Sequence, residues 1–300
     1  MPRYNSKLLL FGEYLIIRSG RALAVPYENY GGQWEFTSDD LSSQQDLKGW
    51  ADYLVDLMKK GQLLCSLNLS KFCRDLEEGM FFDADIPVGY GLGSSGALCA
   101  ALYEVYGRNK IGKNEIDRFS ELRKVLAQLE NFFHGSSSGI DPLISYTGNA
   151  VKIREDGSME ICNLPSLLEG ASFFLIDTQK PRQTGPLVQY FLEQCKDEAY
   201  AKQIDGPLTE ASGNAIQHYL QNNLYGLNES MKQISRFQFE LFPKMIPENF
   251  RPLWQKGLES GAFSLKLCGA GGGGFILGFT HDKKLLGQEL GEVDWKLLKL

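Results

Sequence analysis

Three stretches of this 300-residue chain combine residue types that carry chemistry. The first is Pro87-Val88-Gly89-Tyr90-Gly91-Leu92-Gly93-Ser94-Ser95-Gly96. Glycines let backbone N–H groups approach an oxyanion, a following helix adds the positive end of its dipole, and Ser94 and Ser95 offer hydroxyls to phosphate or Mg²⁺. The loop therefore reads as a phosphate cradle, without the Gly-Lys-Ser/Thr ending of a Walker loop. The alternative is a tight strand-to-helix turn with Ser94 as its N-cap. The second stretch places Glu130 and His134 four apart on one helical face, with Asp141 in the turn beyond. One carboxylate suits a metal and the other a base, although a surface Glu and a turn-forming Asp before Pro142 would look the same. The third, Gly269 to Gly274, has five glycines in six positions between apolar strands. A hairpin needs one or two, so the excess points to close backbone approach, with a flexible turn as the alternative.

The elements that must position these groups follow from periodicity. Residues 7–17 and Ala22 to Tyr27 read as buried strands and Gln33 to Thr37 as an alternating one, so the chain starts β-rich. Ser42 to Lys60 carries Leu47, Trp50, Leu54 and Leu57 at helical spacing, with Gly61 beyond. Phe82, Ala84 and Ile86 alternate into the first loop, and Leu98, Leu102 and Val105 follow it on one helical face that Gly107 ends. Asn114 is placed to cap a second helix through Ile116, Phe119, Leu122, Leu126, Leu129 and Phe133, running to about His134. A polar hairpin is expected near Arg154 to Gly157, and Asn163 to Gly170 reads as the crossing between halves. A strand at Phe173 to Asp177, mostly helical segments to about Gly257, and two apolar strands joined by glycines complete the second half.

Composition narrows the partners. The 43% hydrophobic content supports a sizeable core, and the length suggests two domains, 1–165 and 166–300. The net charge of -6, without a long Lys/Arg run, argues against nucleic acid or an anionic membrane surface and for a small-molecule partner. Six scattered cysteines without C-x-x-C pairs argue against a disulfide frame or a zinc site and read as reduced, buried thiols. No signal-peptide or spanning pattern is visible, so the expected location is the cytoplasm.

Taken together, the stretches resemble the three ordered motifs of the GHMP kinases (galactokinase, homoserine kinase, mevalonate kinase and phosphomevalonate kinase). Lys7 with Phe11-Gly12-Glu13 is similar to the first motif, Pro87 to Gly96 to the second, and Lys266 with Gly269 to Gly274 to the third, over nearly the whole chain. Glu130-Asn131-Phe132-Phe133-His134-Gly135-Ser136-Ser137-Ser138-Gly139-Ile140-Asp141 resembles the mevalonate kinase pattern E-x-x-x-H-G-x-P-S-G-x-D, and Asp177-Thr178 with Thr184 resembles its D-T-G…T segment. Tyr14 stands where mevalonate kinases have His, as in phosphomevalonate kinases, Ser137 replaces the proline, and Tyr4-Asn5-Ser6 replaces Ala-Pro-Gly.

The resemblance implies an α+β, two-domain fold, with a ribosomal protein S5 domain 2-like N-terminal domain, a ferredoxin-like C-terminal domain and the active site in the cleft between them. It implies ATP and Mg²⁺ as cofactors and transfer of the γ-phosphoryl group to an alcohol, mevalonate first, with phosphomevalonate, a sugar, or a non-catalytic ligand sensor as alternatives. Carried to matching positions, Asp141 takes the hydroxyl proton and Lys7 sits beside the acceptor oxygen. Pro87, Gly89, Gly91, Leu92, Gly93, Ser94, Ser95 and Gly96 cradle the phosphates, and Ser95 and Glu130 hold Mg²⁺. Glu13, Tyr14, His134, Asp177, Thr178, Thr184, Gly269, Ala270, Gly271 and Gly272 belong to the substrate side or active-site loops. Arg18, Arg21, Lys180 and Arg182 are the cations available to a phosphorylated acceptor. A homodimer is compatible with this reading.

Overall fold

The computed structural model describes residues 2–18, 20–37, 44–167 and 170–299. The helix start expected at Ser42 and residues 168 and 169 of the expected crossing segment lie outside the described residues. The chain divides into two compact units that are discontinuous in sequence. One comprises Met1–Lys7, Pro26–Pro87 and Leu92–Asn149, the other Leu8–Val25, Val88–Gly91 and Ala150–Leu300.

The first unit holds the start of β1 (Tyr4–Phe11) and most of β2 (Ala22–Phe36), followed by α1 (Gln44–Lys59), β3 (Ser66–Leu67) and α2 (Leu69–Glu77). After these come β4 (Met80–Ala84), α3 (Ser94–Tyr106), β5 (Gly107–Arg108), α4 (Phe119–His134) and α5 (Ile140–Thr147). β2 is one strand of 15 residues where the alternation suggested two. Gly31 and Gly32 do not turn the chain. β2 pairs with β4 in antiparallel register, and the Phe82 ring lies 2.4 Å from where a Cβ on Gly32 would stand, so the glycine makes room for an aromatic. Trp34, opposite Phe82, joins Phe72, Trp50 and Tyr106 in a buried aromatic cluster with ring centroids 5.0 to 6.4 Å apart. Such edge and tilted pairs add to the area they bury. The Tyr106 hydroxyl donates to Asp75 at 2.6 Å, giving α2 a second tie to α3.

α4 also starts later than the Asn114 cap suggested. Ile116–Arg118 forms a 3-10 turn first, closed by the Glu115 carboxylate, which accepts from the Gly112 N–H at 2.7 Å and pairs with Arg118. α2 carried no strong signal, being nine residues long, with Asn68 as N-cap. The apolar run after Asp141 is a helix, α5, and it packs on α3 through small residues. Ala97, Ala100 and Ala101 of α3 are fully buried, and a Cβ on Gly96 would stand 2.8 Å from the Asp141 carbonyl carbon and the Pro142 nitrogen.

In the second unit, the start of β2 pairs with β6 (Ala150–Ile153), and β6 with β7 (Met159–Cys162), as the expected polar hairpin. After β8 (Ser172–Asp177) come α6 (Thr184–Gln194), α7 (Glu198–Gln203), α8 (Thr209–Leu220), α9 (Leu224–Leu241) and α10 (Arg251–Ser260). The chain closes with β9 (Ser264–Leu267), β10 (Phe275–Thr280), α11 (Lys283–Leu290) and β11 (Trp295–Leu297). An antiparallel sheet in the order β11-β8-β10-β9 results, with β9 and β10 joined by the third glycine stretch. Its core gathers Phe174, Ile176, Phe191, Trp254, Leu265 and Ile276. Gln238 of α9, 2% exposed, accepts from the Leu267 N–H at 2.7 Å, so a buried side chain satisfies a strand amide.

All six cysteines are thiols. Only Cys99 and Cys268 are buried, and the other four are half-exposed where burial was expected of all. Among the described residues no helix is long and apolar enough to cross a membrane.

The α3–α5 approach generates a first prediction. Gly96→Ala should lower stability by roughly 1 to 3 kcal/mol in urea unfolding, because the new methyl meets backbone rather than a movable side chain. Gly185→Ala on α6, with nothing within 4 Å of its Cβ, should be neutral or stabilising. Equal effects would contradict the packing argument.

Candidate active site

The end of the glycine–serine loop, from Leu92 on, belongs to the first unit and runs into α3. Gly93 is the N-cap residue, in a left-handed conformation at φ 75°, and Ser94 is the first helical residue, so the cap belongs to glycine and not to Ser94. A Cβ on Gly93 would lie 3.1 Å from Lys7 Cγ and 3.4 Å from Asp141 Cβ. The missing side chain thus lets the loop, the lysine and the aspartate come together. Lys7 donates its backbone N–H to the Leu92 carbonyl at 2.9 Å, which ties β1 to the loop. Its side chain is 8% exposed, and the ammonium lies 2.8 Å from Asp141 Oδ1. Asp141 sits in the first turn of α5, where the helix dipole favours a negative charge.

Beside this pair, Ser95 Oγ donates to Glu130 Oε1 at 2.7 Å and lies 2.9 Å from His134 Nε2. A serine hydroxyl has one proton, and with it directed to Glu130, the His134 ring must donate from Nε2. Glu130 is 3% exposed on α4, and its second oxygen accepts from Ser137 Oγ. Burial, and next the negative charge of Asp141, push the Glu130 carboxyl up from the ordinary 4.5 to about 7. The two serine hydroxyls and Lys7 pull the other way. Ser137 was not among the expected site residues; its sequence signals were its place in a serine-rich turn and its standing where the family pattern has proline.

Ser95 and Glu130 are hard oxygen donors 2.7 Å apart. They suit a small divalent cation that takes its remaining ligands from phosphate and water. A neighbouring cation would also favour the ionised form that burial disfavours in Glu130. Among the described residues no group of three or more His, Cys, Asp or Glu side chains forms a closed metal cage.

The other expected site residues lie in the second unit, apart from Pro87, which closes a segment of the first and is half-buried. Glu13 and Lys266 form an ion pair with both side chains 1% exposed, and Lys266 also donates to the Leu267 carbonyl at 2.8 Å. Tyr14 takes a left-handed φ of 64° and donates its hydroxyl to the Ala270 carbonyl at 2.6 Å. Its phenol pKa is raised, chiefly by burial. Gly269, Gly271, Gly272 and Gly274 all have φ between 69° and 83°. The Gly274 carbonyl accepts from the Thr178 N–H and hydroxyl, and the Gly272 N–H donates to Met245. This stretch is ordered by many contacts and does not form a free turn.

Arg182 explains two further glycines. Its guanidinium occupies the space where side chains of Gly91 and Gly269 would stand, and its backbone N–H donates to the Gly89 carbonyl at 3.0 Å. Asp177 accepts from the Gln179 N–H at 2.7 Å and so holds its own turn, while Thr184 opens α6 on the surface.

The Glu130 environment makes stability depend on pH. Between about pH 4.5 and 7 the folded protein keeps a proton that the unfolded chain has released, so this residue costs stability increasingly as pH rises through that window. Thermal melts should therefore fall more steeply from pH 4.5 to 7.5 for the unaltered protein than for Glu130→Gln. Parallel profiles would contradict the assignment.

Comparisons with known proteins identify the family of the chain. Residues 61–149 match the family described as GHMP kinases N terminal domain, and residues 215–292 match GHMP kinases C terminal. The chain is 23% identical over 301 residues to the mevalonate kinase of Pyrococcus horikoshii, covering 90% of this chain and 85% of that one. Among solved structures it is similar to Methanococcus jannaschii mevalonate kinase, with TM-score 0.66, 17% identity, and coverage of 100% and 97%. It is also similar to Streptococcus pneumoniae phosphomevalonate kinase in complex with phosphomevalonate and AMPPNP, with TM-score 0.65, 15% identity and 99% of both chains covered. With the ordered motifs and the two-domain fold, these matches establish that the chain belongs to the GHMP kinase family.

Proposed function

We propose that the protein phosphorylates mevalonate, using Mg²⁺ with ATP. As a GHMP kinase it is an ATP-dependent phosphotransferase with an alcohol acceptor. The observation that carries the residue assignment is the Lys7–Asp141 pair at 2.8 Å beside the Ser95–Glu130 pair at 2.7 Å, with the α3 N-terminus between them in sequence. Mevalonate is favoured by the mevalonate kinase relative over most of the chain. Of the four cations named for a phosphorylated acceptor, Arg18 faces Asp205 and Arg21 faces Glu155 at 3.0 Å, so these two are compensated.

The residues divide the work as follows. The Gly93 to Gly96 backbone at the start of α3 receives phosphate oxygens with N–H groups and the positive helix end. Ser95 and Glu130 are the ligands that would hold Mg²⁺. When bound, the ion neutralises charge on the phosphates. Outright deprotonation of an alcohol by an ordinary carboxylate would cost on the order of 16 kcal/mol, from an alcohol pKa near 15 to 16 and a carboxyl near 3.9. Asp141 therefore orients the hydroxyl first and accepts its proton only as the bond to phosphorus forms. Lys7 holds Asp141 in place through their contact at 2.8 Å and stabilises negative charge on the acceptor oxygen.

Asp141→Asn should lower kcat by roughly 10²- to 10⁴-fold with nucleotide binding retained; undiminished turnover would remove Asp141 from this role. The acceptor is tested by coupled ADP release with mevalonate, phosphomevalonate, galactose and homoserine. The highest kcat/KM should belong to mevalonate, and preference for another alcohol overturns that choice.

A further inference from the structure

Glu130 is a buried carboxylate with both oxygens engaged, one by Ser95 and one by Ser137. Ser137 is itself fixed from two sides. Its backbone N–H donates to Asn131 Oδ1 at 2.8 Å, and its Oγ accepts from the Gly139 N–H at 2.9 Å. Because the Gly139 amide uses a lone pair of Oγ, the Ser137 hydroxyl proton is left for Glu130 Oε2.

Gly139 in turn has no freedom to drift. Its φ is 72°, and a Cβ there would stand 2.2 Å from the Arg123 carbonyl oxygen of α4. Two residues later comes Asp141. One hydroxyl thus connects the carboxylate of α4, the turn after it, and the residue that begins the Asp141-bearing helix.

We infer that Ser137 is a positioning residue: its hydroxyl holds Glu130 Oε2 so that Oε1 and Ser95 Oγ converge on one divalent cation. The inference rests on the reading of Ser95 and Glu130 as the cation's ligands. Without the hydroxyl, the Glu130 carboxylate loses its donor on one side and can rotate about its last bond, taking Oε1 off Ser95. Partners that orient a ligating carboxylate contribute 10- to 100-fold to metal affinity. The same clamp explains how the turn from Gly135 to Gly139 holds its shape with serines at three positions, since Ser137 uses its hydroxyl inside the site and not at the surface.

The test is Mn²⁺ binding to the intact protein carrying a non-hydrolysable ATP analogue, followed by loss of the free-ion electron paramagnetic resonance signal. Ser137→Ala should weaken Mn²⁺ binding by about 10- to 100-fold, and Ser137→Thr, which keeps the hydroxyl, should restore most of it. In turnover, Ser137→Ala should raise the Mg²⁺ concentration for half-maximal rate while kcat at saturating Mg²⁺ changes much less. A purely structural role would lower the melting temperature and leave the Mn²⁺ constant unchanged, which overturns the inference. Glu130→Gln separates the two layers. Weaker Mn²⁺ binding in Glu130→Gln but not in Ser137→Ala overturns the role of Ser137 alone. Unchanged binding in both overturns the cation site and the inference with it.

Discussion

The first unit's chemistry depends on one steric constraint, the approach of α3 to the first turn of α5 at Gly96. Any side chain at Gly96 would meet the backbone of Asp141 and Pro142. With hydrogen there, Asp141 reaches Lys7, and Lys7 is pinned through its own amide to Leu92 at the loop's end. Gly93 completes the arrangement, because its left-handed turn leaves room for the lysine stem. Packing density thereby sets electrostatic distance. Asp141 comes close enough to Glu130 to disfavour its negative charge, and Lys7 close enough to favour it. A site with two acids and one cation is poised to take up a further positive charge.

The second unit follows the same logic with different parts. The Glu13–Lys266 pair is almost wholly out of water, where charges persist only with close partners. It fixes the segment that follows β1 to β9. Tyr14, next in sequence, then reaches the glycine stretch and donates to Ala270. The glycines give up side chains so that Arg182, Tyr90 and the Lys180 carbonyl can lie against their backbone. The excess of glycine therefore meets a packing requirement within that unit.

Much of this was legible in the sequence, and the reasons for the exceptions are physical. α4 was visible because one face of it is buried at helical spacing, and β8 because it is a short apolar run buried nearly throughout. The single β2 was not, since Gly31-Gly32 has the composition of a turn, and only the cross-strand Phe82 shows why glycine is needed. α2 is too short for its periodicity to stand out, and the delayed start of α4 reflects a local contest won by Glu115. Among site residues, Lys7, Ser95, Glu130, His134 and Asp141 were reached through ordered motifs, and the structure brings these five together. Ser137 stands where the family pattern has proline, so no motif pointed to its bond with Glu130, and the Arg182 contact with Cys268 joins residues far apart along the chain, of which composition carries no sign.

The central claim is that Lys7 and Asp141 act as one unit on the acceptor hydroxyl. Its most direct test is a double-mutant cycle on single-turnover phosphoryl transfer from labelled ATP to mevalonate, using Lys7→Met, Asp141→Asn and the pair together. Groups that act as a unit are strongly non-additive, so the double variant should be about as slow as the slower single variant. Rate losses that multiply would show that the two residues act independently, and would contradict the account.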